Sequence, residues 1–94
     1  MSLQTFAAFT MRGCPHCRAV PELLNSVQDL APARIVDSEE PLASALGVSS
    51  FPTILLVNPL FAFVYRGERT PQALRAWALR KMAQTARFIE DTQQ

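Results

Sequence analysis

Cys14-Pro15-His16-Cys17 is the stretch on which the reading of this chain turns. Two cysteines three positions apart meet on the first turn of a helix. Pro15 suits that turn, because its missing N–H would have no intrahelical partner there. The spacing therefore predicts a helix starting here with Cys14 at its tip, where unpaired N–H groups and the macrodipole favour an anion. A helix end supplies up to about 2 kcal/mol, or roughly one and a half pKa units. A protonated, partly exposed His16 about 4 Å away would add at most on the order of 4 kcal/mol at an effective dielectric of 20. Pro15 and His16 thus tune Cys14 toward its thiolate. Because a stabilised thiolate leaves easily, a Cys14–Cys17 disulfide is expected to be readily reduced and oxidising toward other thiols.

Plainer readings exist for the same residues. Cys-x-x-Cys is half of many zinc sites, but a structural zinc takes four ligands and this chain offers two cysteines and one histidine. No metal is expected, and no cofactor beyond the cysteine pair itself. An inert packed pair, with His16 a surface histidine at a helix start, is the remaining alternative.

The chain has 94 residues, 49% of them hydrophobic, and a formal charge of +1. That is enough apolar material for one core, so residues 1–94 read as a single domain. The near-neutral balance gives no electrostatic reason to expect nucleic acid or an anionic membrane as a partner. Late basic residues from Arg66 to Arg87 are interleaved with acids and glutamines, as on a solvated helix face. No stretch reaches the length of a membrane span, and the first ten residues lack the pattern of a secretory signal. The expected location is cytoplasmic. Two cysteines spaced as a redox pair fit a reducing compartment better than a disulfide-stapled secreted scaffold.

Outward from the cysteines, residues 3–10 read as a buried strand and Met11, Arg12 and Gly13 as the loop that follows. A helix then carries Val20, Leu23, Leu24, Val27 and Leu30 on one face, ending near Ala31. Pro21 is expected to kink it and to leave the Cys17 carbonyl without its usual partner. Ala33 to Asp37 is a second strand, and Ser38 reads as the N-cap of a short helix that Gly47 ends. Phe51-Pro52-Thr53 leads into the apolar strand Ile54 to Val57. Asn58 and Pro59 turn the chain into an antiparallel strand over 60–65. A long last helix covers about 71–90; Leu74, Trp77 and Ala78 face the sheet, and its second half is expected to project with Met82, Phe88 and Ile89.

With Cys14-Pro15-His16-Cys17 and Phe51-Pro52-Thr53 on one chain in this element order, the sequence resembles the thioredoxin-like superfamily over nearly its whole length. The Phe51-Pro52-Thr53 segment looks most like that of protein disulfide isomerase domains, the Cys-Pro-His-Cys sequence like that of DsbA oxidases, and the minimal size like that of glutaredoxins. The resemblance implies an α/β fold, a three-layer α/β/α sandwich of βαβαββα order around a four-stranded mixed sheet. It also implies that Cys14 attacks or is attacked, that Cys17 resolves the mixed disulfide, and that Pro52 is cis beside the sulfurs. Phe51, Pro52 and Thr53 would then bind substrate, with the Phe51 backbone pairing like a strand. Ala8 stands where thioredoxins and disulfide isomerases usually carry a buried acid, and Gly13 where they usually carry tryptophan.

Two functions follow from these residues. One is a thiol-disulfide oxidoreductase acting on protein cysteines, with a thiol or disulfide partner to recycle it. Pro15 and His16 favour oxidation or isomerisation, and the missing export signal favours reduction. The other is a non-catalytic binding or assembly subunit of a larger complex, engaging a second chain through the Ala33–Asp37 edge or through the helix end at Met82, Phe88 and Ile89.

Overall fold

Strand β1 (Thr5–Thr10) is the centre of the sheet, and its sequence explains why: Phe6, Ala7, Ala8 and Phe9 are apolar on both faces and all four are buried. A strand covered on both sides needs layers above and below it. The structure, a computed structural model, describes residues 4–92; Leu3, the expected start of this strand, lies outside them. After β1 come a 3₁₀ helix (Pro15–Ala19), α1 (Val20–Asn25), β2 (Ala33–Asp37), α2 (Pro41–Ala45), β3 (Thr53–Val57), β4 (Ala62–Val64) and α3 (Pro71–Thr92). The strand order is β2-β1-β3-β4. β2 lies parallel to β1, and the other two pairings are antiparallel. This is the mixed four-stranded sheet in the βαβαββα order expected from the sequence.

Alternation along the strands divides the core in two. Phe6 and Ala8 of β1, with Ile54 and Leu56 of β3, face α1 and α3, meeting Val20, Leu23, Leu24, Leu74, Trp77 and Ala78. Ala7, Phe9 and Leu55 face the other way, against Val36, Ala43 and the partly buried Leu42, Val48 and Phe51. Two helices on one face and one on the other make three layers. Side chains such as Phe6, Phe9, Leu56 and Leu74 are fully buried, each worth roughly 1.5–3 kcal/mol relative to exposure.

Local structure departs from the sequence reading at four places. The helix after the cysteines is not one continuous α-helix: it begins as a 3₁₀ helix and becomes α only at Val20. Pro21 therefore falls in the first turn of α1, where no N–H is needed, rather than kinking a helix already formed. The Cys17 carbonyl is not orphaned, since it accepts the Val20 N–H. α1 also stops at Asn25, five to six residues early. There the Ser26 hydroxyl donates to the Leu23 carbonyl at 2.6 Å, and short-range bonds carry the chain on as turns.

Ser38 is not a helix cap. Asp37 and Glu40 close a turn instead, the Glu39 N–H donating to Asp37 Oδ1 at 2.9 Å and the Asp37 N–H to Glu40 Oε2 at 2.8 Å. Glu40 then precedes Pro41 at the start of α2. β4 is three residues long, because Asn58 Oδ1 accepts the N–H groups of both Leu60 and Phe61 and holds them in the turn. α3 runs two residues past the expected end, and its projecting part is shorter than expected. Met82 packs on the core, Thr85 is buried, and Asn58 Nδ2 donates to Thr85 Oγ1 at 3.4 Å.

Candidate functional site

The chain leaves the C-terminal end of β1 through Met11, Arg12 and Gly13, and the turn is tight enough that the Cys14 N–H donates to the Met11 carbonyl at 3.2 Å. Gly13 has φ +79°, a left-handed conformation that residues with a Cβ rarely adopt. Cys14 is extended, at φ −81° and ψ 112°, and Pro15 opens the 3₁₀ helix behind it. The Cys17 N–H donates back to the Cys14 carbonyl at 3.2 Å. This folds the two cysteines to a Cα–Cα distance of 5.3 Å, and their sulfurs are joined as a disulfide.

The two sulfurs are not equivalent. Cys17 is buried, 8% exposed, under the start of α1, whereas Cys14 is half-buried at the surface. Pro15 and His16 are exposed, and the His16 side chain has no hydrogen bond or ion pair to another described residue.

The second segment arrives through the sheet. β3 pairs antiparallel with β1, setting Thr53 beside Phe9 and Ile54 beside Ala8, so the residues just before β3 meet the loop just after β1. The Phe51–Pro52 peptide bond is cis, and the Phe51 carbonyl oxygen lies 3.8 Å from Cys14 Sγ. Thr53 Oγ1 donates to the Ser50 carbonyl at 2.7 Å, tying the segment into a turn. Phe51 packs its ring on the core face that α2 covers. Of the residues singled out in the sequence, Cys14, Cys17, Phe51, Pro52 and Thr53 converge, while the His16 side chain stands outside, in solvent. Ala8 is fully buried in the apolar core.

Two open depressions lie in this region, and the cysteines line the first. One, of about 440 Å³, is lined by both cysteines with Met11, Arg12, Arg18 and Asp37 among others. The other, of about 500 Å³, runs from the end of α2 past Pro52 and Thr53 to the edge of β4 and Arg66. The sequence reading passed over Arg12 and Arg18, although their position beside the motif signals proximity. Asp37 arrives only through the register of β2, where it pairs with Thr10. Among the described residues, no three His, Cys, Asp or Glu side chains are gathered as a metal site, and no helix is long and apolar enough to cross a membrane.

No family model matches the sequence, and no curated protein matches it. Solved structures do. The J-Trx1 fragment of ERdj5 superposes with a TM-score of 0.72 at 27% identity, over 83% of this chain and 41% of that one. The first thioredoxin domain of mouse protein disulfide-isomerase A4 gives 0.61 at 26%, over 80% of this chain and 60% of that one. Thioredoxin 1 from Thermosipho africanus TCF52B gives 0.70 at 13%, over 87% and 98%. The chain thus spans less than half of the ERdj5 fragment and nearly all of the bacterial thioredoxin.

Proposed function

We propose that this chain, a member of the thioredoxin-like superfamily, exchanges disulfides with the cysteines of other proteins through Cys14 and Cys17. One observation carries the reading: a disulfide with one half-buried and one buried sulfur stands at the end of the central strand, beside the backbone of Phe51. Such asymmetry supports different roles for the two sulfurs. A substrate thiolate reaches Cys14 Sγ, a bond forms between them, and Cys17 leaves as a thiolate. A second substrate thiolate then attacks the substrate sulfur of the mixed disulfide and releases Cys14, so the substrate loses two electrons and the Cys14–Cys17 pair gains them. Run backwards, Cys14 attacks a substrate disulfide and Cys17 resolves it.

The surroundings support this chemistry. Pro15 and His16 follow Cys14 directly in the chain, and the Phe51 carbonyl lies next to its sulfur, where a substrate segment would lie in extended form. The direction is set by the pair's potential against its recycling partner. A value of about −120 to −180 mV makes it a disulfide donor or isomerase, and one near about −270 mV a reductant. Trapping tests the roles: Cys17→Ser accumulates covalent complexes with protein thiols and Cys14→Ser does not. Equal trapping by both variants would overturn the assignment.

A second reading has its own observation. Among the described residues the outer edge of β2 has no strand beside it, and Phe88 and Ile89 on α3 are 44% and 39% exposed, so a second chain could be held without any exchange. In that case the protein runs in a stoichiometric complex in native extract, and Phe88→Ala with Ile89→Ala releases it. A free monomer that the double variant leaves unchanged rules this reading out.

A further inference from the structure

We infer that the rim of the Cys14–Cys17 site selects anionic partners, namely peptides with carboxylate side chains next to the reacting cysteine. The inference rests on the exchange reaction proposed above and adds a substrate class to it. The chain as a whole has a formal charge of only +1, so no general excess of cations puts positive charge at the sulfurs. Yet the depression that both cysteines line carries Arg12 and Arg18, and the one beyond Pro52 carries Arg66.

Against Arg12 and Arg18 in the depression that the cysteines line stands one carboxylate, Asp37, whose Oδ1 already accepts the Glu39 N–H at 2.9 Å. His16 is exposed between the cysteines. Elsewhere the protein uses arginine to tie itself together: Arg34 pairs with Glu40 and Arg75 with Asp29. The side chains of Arg12, Arg18 and Arg66 make no hydrogen bond or ion pair to another described residue. Their guanidinium forks are left to water, and a carboxylate is the group such a fork holds best.

Rim charges act mainly on encounter, so the effect belongs in the rate of the first exchange step. That step balances without another reactant. The Cys14 thiolate attacks one sulfur of a peptide disulfide and expels a peptide thiolate; the Cys17 thiolate then attacks Cys14 Sγ and expels the second. The peptide disulfide gains two electrons, and the cysteine pair loses them.

The test uses the full chain, reduced, and three symmetric peptide disulfides that differ only in the residues beside cysteine: aspartate, glycine or lysine. At low salt the aspartate peptide is expected to react about tenfold or more faster than the lysine peptide, with glycine between them. Raising salt from about 0.01 M to about 1 M shortens the screening length from about 30 Å to about 3 Å and collapses the ratio. Arg12→Gln with Arg18→Gln collapses it at low salt, and the Arg12→Lys, Arg18→Lys pair keeps it. Equal rates for the aspartate and lysine peptides, with the glycine peptide reacting, overturn the selection and leave the exchange standing. If none of the three reacts, both readings fall.

Discussion

Cys14 Sγ lies 3.8 Å from the carbonyl oxygen of Phe51, across 37 positions of sequence. The pairing of Phe9 with Thr53 brings them together. In the reduced protein that carbonyl can accept the Cys14 proton, which favours the thiol, while the start of the helix favours the thiolate. With the two influences opposed, accessibility decides, and Cys17 is the buried sulfur. Limiting iodoacetamide at neutral pH is therefore expected to label Cys14 at least about ten times faster than Cys17, read by mass mapping. Equal labelling would contradict the burial that separates their roles.

Leu74 and Phe88 lie on one helix and should behave very differently. Leu74 is fully buried between α3 and the sheet, so Leu74→Ala leaves a cavity and is expected to cost about 2–5 kcal/mol in denaturant unfolding. Phe88 is 44% exposed and meets Phe61 edge-on with ring centroids 5.1 Å apart. Its truncation is expected to cost no more than about 1.5 kcal/mol. A larger loss at Phe88 than at Leu74 would mean that the helix end holds more of the fold than its exposure indicates.

The sheet was legible because its strands are short apolar runs bounded by turns, and the site because Cys14, Cys17 and Phe51-Pro52 each carry a local signal. What escaped was set by competition between nearby hydrogen bonds. The continuous helix expected after Cys14 gives way to 3₁₀ geometry because Val20 N–H takes the Cys17 carbonyl. The cap expected at Ser38 is displaced by the Asp37–Glu40 turn. Periodicity cannot rank such alternatives, since both keep the same apolar residues inward. Nor could it place Asp37 beside the cysteines, which depends on the parallel register of β2 with β1.

Asp29 and Arg75 join the turns after α1 to the second turn of α3, and Arg75 also donates to the Ser26 carbonyl at 3.3 Å. The hydrogen bond from Arg75 is the main cause holding the Asp29 carboxyl below its ordinary range. A depressed carboxyl contributes stability that is present above its unfolded value, about 3.9, and is lost as pH falls through the folded one. Both groups are exposed, so the contribution is modest and screened. Asp29→Asn should lower stability modestly at neutral pH and converge with the parent protein as pH falls below about 4, which flattens the acid limb, as read by urea midpoints across pH. An unchanged acid limb would show that the pair does not hold in solution.

Tyr65 turns its ring onto Trp77, with centroids 5.0 Å apart, and donates its hydroxyl to the Glu68 carbonyl. The space for this comes from Gly67: a Cβ there would stand 2.8 Å from the Tyr65 hydroxyl oxygen and 3.0 Å from two ring carbons. Gly67→Ala should push the ring off Trp77, the chain's single tryptophan, and shift its emission to longer wavelength. Tyr65→Phe keeps the ring in place and should leave the spectrum nearly unchanged. Burial, and then the Glu68 carboxylate, raise the Tyr65 phenol above its usual value of 10.0. A raised phenol contributes stability that is fully present below about pH 10 and is lost as pH climbs through the folded value. Ultraviolet titration of this single tyrosine should therefore show tyrosinate forming later in the folded protein than in urea, and Gly67→Ala should bring the two curves together. Coincident curves in the parent protein would mean that the ring is not packed on Trp77 in solution.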